Sequence, residues 1–77
     1  MKVLAPDLGE YSAYGSPIIA EVYVSEGNNV TEGSLLCLIM IAKVSVEVKA
    51  PSTGKVTKVY IKKGDTVKSG DPLFEIE

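Results

Sequence analysis

Residues 22–40, VYVSEGNNVTEGSLLCLIM, align without gaps to residues 59–77, VYIKKGDTVKSGDPLFEIE, at an offset of 37. Val22/Val59, Tyr23/Tyr60, Gly27/Gly64, Val30/Val67, Gly33/Gly70, Leu36/Leu73 and Ile39/Ile76 recur as the same residue, and Val24/Ile61 nearly so. Upstream, KVLAP (2–6) matches EVKAP (47–51) at an offset of 45. The first half therefore carries eight extra residues within DLGEYSAYGS, where Gly, Ser and Asp predict a surface loop. Two units are too few to stack as a solenoid, so the repeat predicts one domain with internal pseudo-two-fold symmetry.

Each half reads as β-structure. IIAEVYV and KVTKVYI are rich in β-branched and aromatic residues. EGNNVTEG and KGDTVKSG then place glycines on both sides of a short apolar point, the pattern of turns flanking a very short strand. LLCLIM and PLFEIE close each half with another strand, and no window holds a helical period. The fold class expected is all-β: a flattened barrel or sandwich of two antiparallel sheets of about four strands each. One domain is expected over 1–77, with half-repeats at about 1–40 and 44–77 joined by a hairpin at Lys43.

Composition narrows the chemistry. Hydrophobic residues at 45% suit a packed core, and an aromatic share of 6% without Trp makes that core mostly Val, Ile and Leu. The first 38 residues carry one Lys against five acids, and the remainder seven Lys against five acids. With no Arg and no aromatic interleaving, the lysines make a poor nucleic-acid surface. There is no His, which removes the commonest general base and metal ligand, and the acids lack a calcium-loop spacing. Cys37 stands alone inside LLCLIM and reads as a small buried residue. No apolar run approaches a membrane span or a signal peptide, so a soluble intracellular chain is expected. Neither catalytic residues nor a metal site are expected.

What remains is Lys43, set between the apolar end of one half and the alternating VSVEVK of the other. The repeat places it at the crossover, whose counterpart after the second half is the pair of termini. A domain so built is tethered at one end and presents an amine at the other.

Essentially the whole chain resembles the lipoyl and biotinyl carrier domains, and the lipoyl branch more closely. APDLGE (5–10) looks like the opening of a lipoyl domain. Residues 33–77 hold a hairpin, the A-P-x-x-G-K-V turn and strand, and a closing G-D-x-V-x-x-G-x-x-L segment similar to the family's. The resemblance implies that Lys43 forms an amide with lipoic acid and serves as a swinging arm of a 2-oxo acid dehydrogenase complex. Such a domain is a non-catalytic carrier, part of a multidomain acyltransferase, because the cofactor holds the reactivity. Its implied partners are lipoate–protein ligase, a thiamine-dependent 2-oxo acid decarboxylase, the acyltransferase core and a flavin-dependent dihydrolipoamide dehydrogenase. The domain itself is expected to be monomeric, in the bacterial cytoplasm or the mitochondrial matrix.

Where the family usually places acidic and polar residues before the lysine, often E-T-D-K-A, this chain has Met40-Ile41-Ala42-Lys43-Val44. The Met-Lys-Met of biotin carriers is not matched either. Ile41, Ala42 and Val44 around the lysine, with Asp7, Leu8, Gly9 and Glu10 of the long loop, are the recognition residues that the resemblance implies. Tyr11 and Tyr14 in the same loop serve equally well to pack it onto a sheet edge. The competing readings are a biotin carrier domain of a carboxylase and an unmodified lipoyl-like adaptor. Similar adaptor domains are usually interrupted by a long helical hairpin at the crossover, and nothing is inserted here.

Overall fold

The computed structural model describes residues 1–7 and 16–77, and these form strands and turns only. The strands are β1 (Lys2–Leu4), β2 (Ile18–Val22), β3 (Asn29–Val30), β4 (Leu35–Ile41), β5 (Val44–Lys49), β6 (Gly54–Val59) and β7 (Pro72–Ile76). One sheet runs in the order β1-β7-β6-β3 and the other β2-β4-β5, with every pairing antiparallel. The second sheet has three strands where about four were expected. A single bridge from Ile18 to Thr66 stands where β3 pairs with β6 in the first sheet. Val67 N–H donates to Pro17 O at 3.1 Å, but Pro17 has no N–H to return, so the next rung of a ladder is missing. The described residues span 35 × 19 × 17 Å, an elongated, flattened shape.

The repeat is a symmetry of hydrogen bonds. Tyr23 N–H donates to Leu36 O and Tyr60 N–H to Leu73 O, both at 2.9 Å. Gly33 donates to Ala50 O at 2.9 Å and Gly70 to Ala5 O at 3.0 Å, which places the two A-P segments as mates. Each sheet therefore draws strands from both halves. Neither half could close its own sheet, and the two fold as one unit.

The turns show why the glycines recur. Asn28 N–H donates to Ser25 O and Asp65 N–H to Lys62 O, with Gly27 at φ +96 and Gly64 at φ +95 between them. This is the pattern of a type II turn, whose third residue needs positive φ. Asn28 Oδ1 and Asp65 Oδ2 accept from the backbone N–H of Ser25 and Lys62, closing each turn from within. The second pair, Gly33 and Gly70, has the same sign of φ.

Among the described residues, fifteen buried apolar ones form one core, including Ile19, Leu36, Ile39, Val56, Leu73, Phe74 and Ile76. The repeat pairs Val30/Val67, Leu36/Leu73 and Ile39/Ile76 lie inside it, and Val22/Val59 and Val24/Ile61 pack half-buried against it. Mates thus share an environment as well as an identity.

Candidate functional site

β4 and β5 form the hairpin that carries Lys43. Their register pairs Ile39 with Val46, Met40 with Ser45 and Ile41 with Val44, leaving Ala42 and Lys43 as a two-residue loop. Strand side chains alternate between faces, so the ladder turns Ile39 and Ile41 into the core and Met40 outward. The loop's first residue, Ala42, has φ +53 and is the one described non-glycine residue with positive φ. Hairpin loops of two residues demand such a conformation because their twist must match that of the strands.

Lys43 is exposed at the tip. Among the described residues, its ammonium has no hydrogen-bond or ion-pair partner within reach; the one ion pair joins Lys63 to Glu21, at 3.1 Å. The two-fold counterpart of this loop is the gap between the end of β7 and the start of β1. There Met1 O accepts from Ile76 N–H at 2.8 Å, so the two chain ends lie side by side. The amine and the termini therefore occupy positions related by the pseudo-two-fold axis.

The residues expected around the lysine divide. Ala42 is exposed and Val44 half-buried. Ile41 is fully buried, so its side chain belongs to the core and cannot meet a partner; hairpin register, invisible in the local sequence, turned it inward. Met40 is the exposed apolar residue of the pair. Asp7 is exposed, while Leu8, Gly9, Glu10, Tyr11 and Tyr14 lie outside the described residues. Ile18 was not singled out in the sequence, yet it sits directly opposite Met40 on β2. Twenty-two positions separate them, and only strand pairing reveals their contact.

Other chemistry is scarce among the described residues. No group of acids and cysteine could hold a metal ion. Burial pushes the Cys37 thiol up to about 11, which keeps it protonated and unreactive at neutral pH. An unpaired primary amine on a rigid hairpin is suited to accept an acyl group and hold it in solvent.

Comparison with known proteins gives a consistent picture. The biotin/lipoyl family, described as biotin-requiring enzymes, matches residues 1–76. The dihydrolipoyllysine-residue acetyltransferase component of the pyruvate dehydrogenase complex from Mycoplasma capricolum is 41% identical over 76 residues, which are 99% of this chain and 17% of that protein. The biotin carboxyl carrier protein of acetyl-CoA carboxylase from Chlamydia trachomatis is 36% identical over 75 residues, 96% of this chain and 44% of that protein. The chain thus spans less than half the length of either relative. Among solved structures, the lipoyl domain of the 2-oxoglutarate dehydrogenase complex from Azotobacter vinelandii superposes with a TM-score of 0.79 at 27% identity, covering 100% of this chain and 95% of that one. The urea carboxylase of Kluyveromyces lactis shares the fold, with a TM-score of 0.81 at 23% identity over 100% of this chain and 6% of that one.

Proposed function

The chain belongs to the biotin/lipoyl family of carrier domains, and from that premise we propose that it is a lipoyl domain with lipoate attached to Lys43. The observation that carries this reading is the lone exposed amine on a two-residue hairpin loop, held by a core that spends nothing on catalysis. Attachment first takes one proton from the Nζ ammonium; the free amine then forms an amide with an activated carboxyl group, releasing the activating group and a second proton. Lys43 meets the requirements of that step, since no described carboxylate holds its ammonium in place.

When bound, lipoate supplies a dithiolane that carries acyl groups and reducing equivalents. The protein's part is to fix the attachment point while leaving the arm in solvent. The complex served is a 2-oxo acid dehydrogenase, with a lipoate–protein ligase, a thiamine-dependent decarboxylase, an acyltransferase core and dihydrolipoamide dehydrogenase as partners. Tethering makes each visit intramolecular and raises the effective concentration. Bacterial cytoplasm or mitochondrial matrix is the compartment that fits such partners. The Mycoplasma and Azotobacter proteins, both lipoyl by name, support the lipoyl reading.

The Chlamydia relative favours a second reading, a biotin carrier domain. Separate incubation with lipoate–protein ligase and with biotin ligase, followed by intact-mass spectrometry, tells the two apart. A single lipoyl addition to the parent, absent in Lys43→Arg, is the expected result. Addition of biotin alone would establish the second reading. No addition by either enzyme would leave an unmodified adaptor domain.

A further inference from the structure

The internal symmetry supplies a control for the paired surface positions, and beside Lys43 it breaks at a cluster of three. On the outward face of the sheet bearing Lys43, Ile18 lies opposite Met40, with Leu38 two residues along the same strand. Ile18 and Met40 are 42% and 37% exposed, and Leu38 is half-buried yet stands apart from the core cluster. Their mates on the other sheet are Lys55, Glu77 and Glu75. All three positions are apolar beside the lysine and all three are charged beside the termini. The inward mates, by contrast, kept their character. The other sheet packs inwardly with charged side chains at all three mates, and solubility disfavours apolar ones at such outward positions.

We propose that Ile18, Leu38 and Met40 form a ledge on which the aliphatic part of the group attached to Lys43 rests. This rests on the carrier reading of Lys43, but not on which cofactor it carries. Lipoyl and biotinyl groups share a pentanoyl chain joined to the lysine amine, and that shared chain is the occupant. Its reach fits the distance. Met40 precedes Lys43 by three residues and the chain reverses at Ala42 and Lys43, so it lies within about 10 Å of the lysine backbone. A lysine side chain extended by a pentanoyl amide spans roughly 12 Å at ordinary bond lengths. The arm can lie back along β4 with its methylenes over Met40 and Ile18. Methionine suits such a contact because its flexible, polarisable side chain adapts to the shape it meets. The ledge holds the arm weakly and shields its apolar chain from water between visits.

The test attaches the chain chemically, so that it does not depend on any ligase. Lys43→Cys offers an exposed thiol, while buried Cys37 stays inert. Alkylation with a haloacetamide bearing a pentyl chain is compared with the same reagent bearing a methyl group. Methyl NMR of isotopically labelled Ile and Met then reads the contact. Nuclear Overhauser cross-peaks from the pentyl methylenes to the Ile18 and Met40 methyls are expected with the longer reagent alone. They should vanish in an Ile18→Lys/Met40→Glu double variant, whose thermal melt checks that the fold is kept. A pentyl chain with free-solution mobility and no cross-peaks would overturn the ledge. So would concentration-dependent shifts of the same methyls in unmodified protein, which would mark a contact between copies. Lipoylated and biotinylated protein provide two further arms. Equal contacts in both support the shared chain, whereas contacts in only one assign them to its ring and refute the proposal. Failure of both ligations would sink the carrier reading, while the alkylated variant still reports on the ledge.

Discussion

A Cβ placed on Gly54 would fall 2.5 Å from the carbonyl oxygen of Glu77 and 2.7 Å from the γ-methyl of Ile76. Glycine at this position lets the start of β6 approach the end of β7, where Lys55 N–H donates to Glu77 O at 2.7 Å. Ile76 is buried, so it cannot move aside without disturbing the core. Gly54→Ala should therefore destabilise by roughly 1–3 kcal/mol through overpacking. Urea denaturation measures this, and a variant as stable as the parent would show that the strand ends separate freely.

Gly27 and Gly64 offer the opposite case. Nothing lies within 4 Å of a Cβ on either, so only backbone conformation opposes a side chain. Alanine at each should cost on the order of 1 kcal/mol, because positive φ is strained for any residue with a Cβ. As two-fold mates in matching turns, the two variants should lose similar stability. Thermal melts giving sharply different losses would contradict the equivalence of the turns.

Ala42 carries the same strain at φ +53 without being glycine. Ala42→Gly should stabilise the domain, by about 0.5–1 kcal/mol, and Ala42→Val should destabilise it. Ala42→Asp restores the acid usual before the lysine in the lipoyl branch, and Asp tolerates this region better than Ala. It should raise the rate of lipoylation without loss of stability. Chemical denaturation and a ligation time course measure the two effects independently.

Lys43 is exposed and unpaired among the described residues, so its removal should not trouble the fold. Lys43→Ala and Lys43→Arg should remain within about 0.5 kcal/mol of the parent. A marked loss in either variant, read by thermal melting, would reveal a structural lysine.

Cys37 makes stability depend on alkaline pH. Burial raises its thiol from the ordinary value of 9.0 to about 11. Below pH 9 the thiol is protonated in both folded and unfolded chains and contributes no slope. Between pH 9 and 11 the unfolded thiol ionises first, and stability should fall by roughly 1.4 kcal/mol per pH unit. The Cys37→Ala variant should lack this component, although it begins from a lower stability. Denaturation curves of both proteins across that range separate the thiol from the lysines, which titrate in either case.

Much of this was legible in the chain. The repeat of Gly27 and Gly33 at Gly64 and Gly70 marks equivalent turns because type II geometry admits few other residues. The apolar pairs are buried or half-buried alike, Val30/Val67, Leu36/Leu73 and Ile39/Ile76 in the core and Val22/Val59 and Val24/Ile61 against it, because symmetry-related positions share surroundings. The position of Lys43 between the halves followed from counting. Three things did not follow. Strand pairing across the two halves is set by contacts far apart in sequence, so neither the shared sheets nor the Ile18–Met40 contact appears in any local window. Met40 and Ile41 are both apolar and adjacent, and the hairpin register alone sends one outward and buries the other, since a shift of one residue exchanges the faces. Gly54 looks like any turn glycine until the end of β7 arrives beside it. Local chemistry chooses the turns and strands, but the face a side chain occupies depends on the strand it meets.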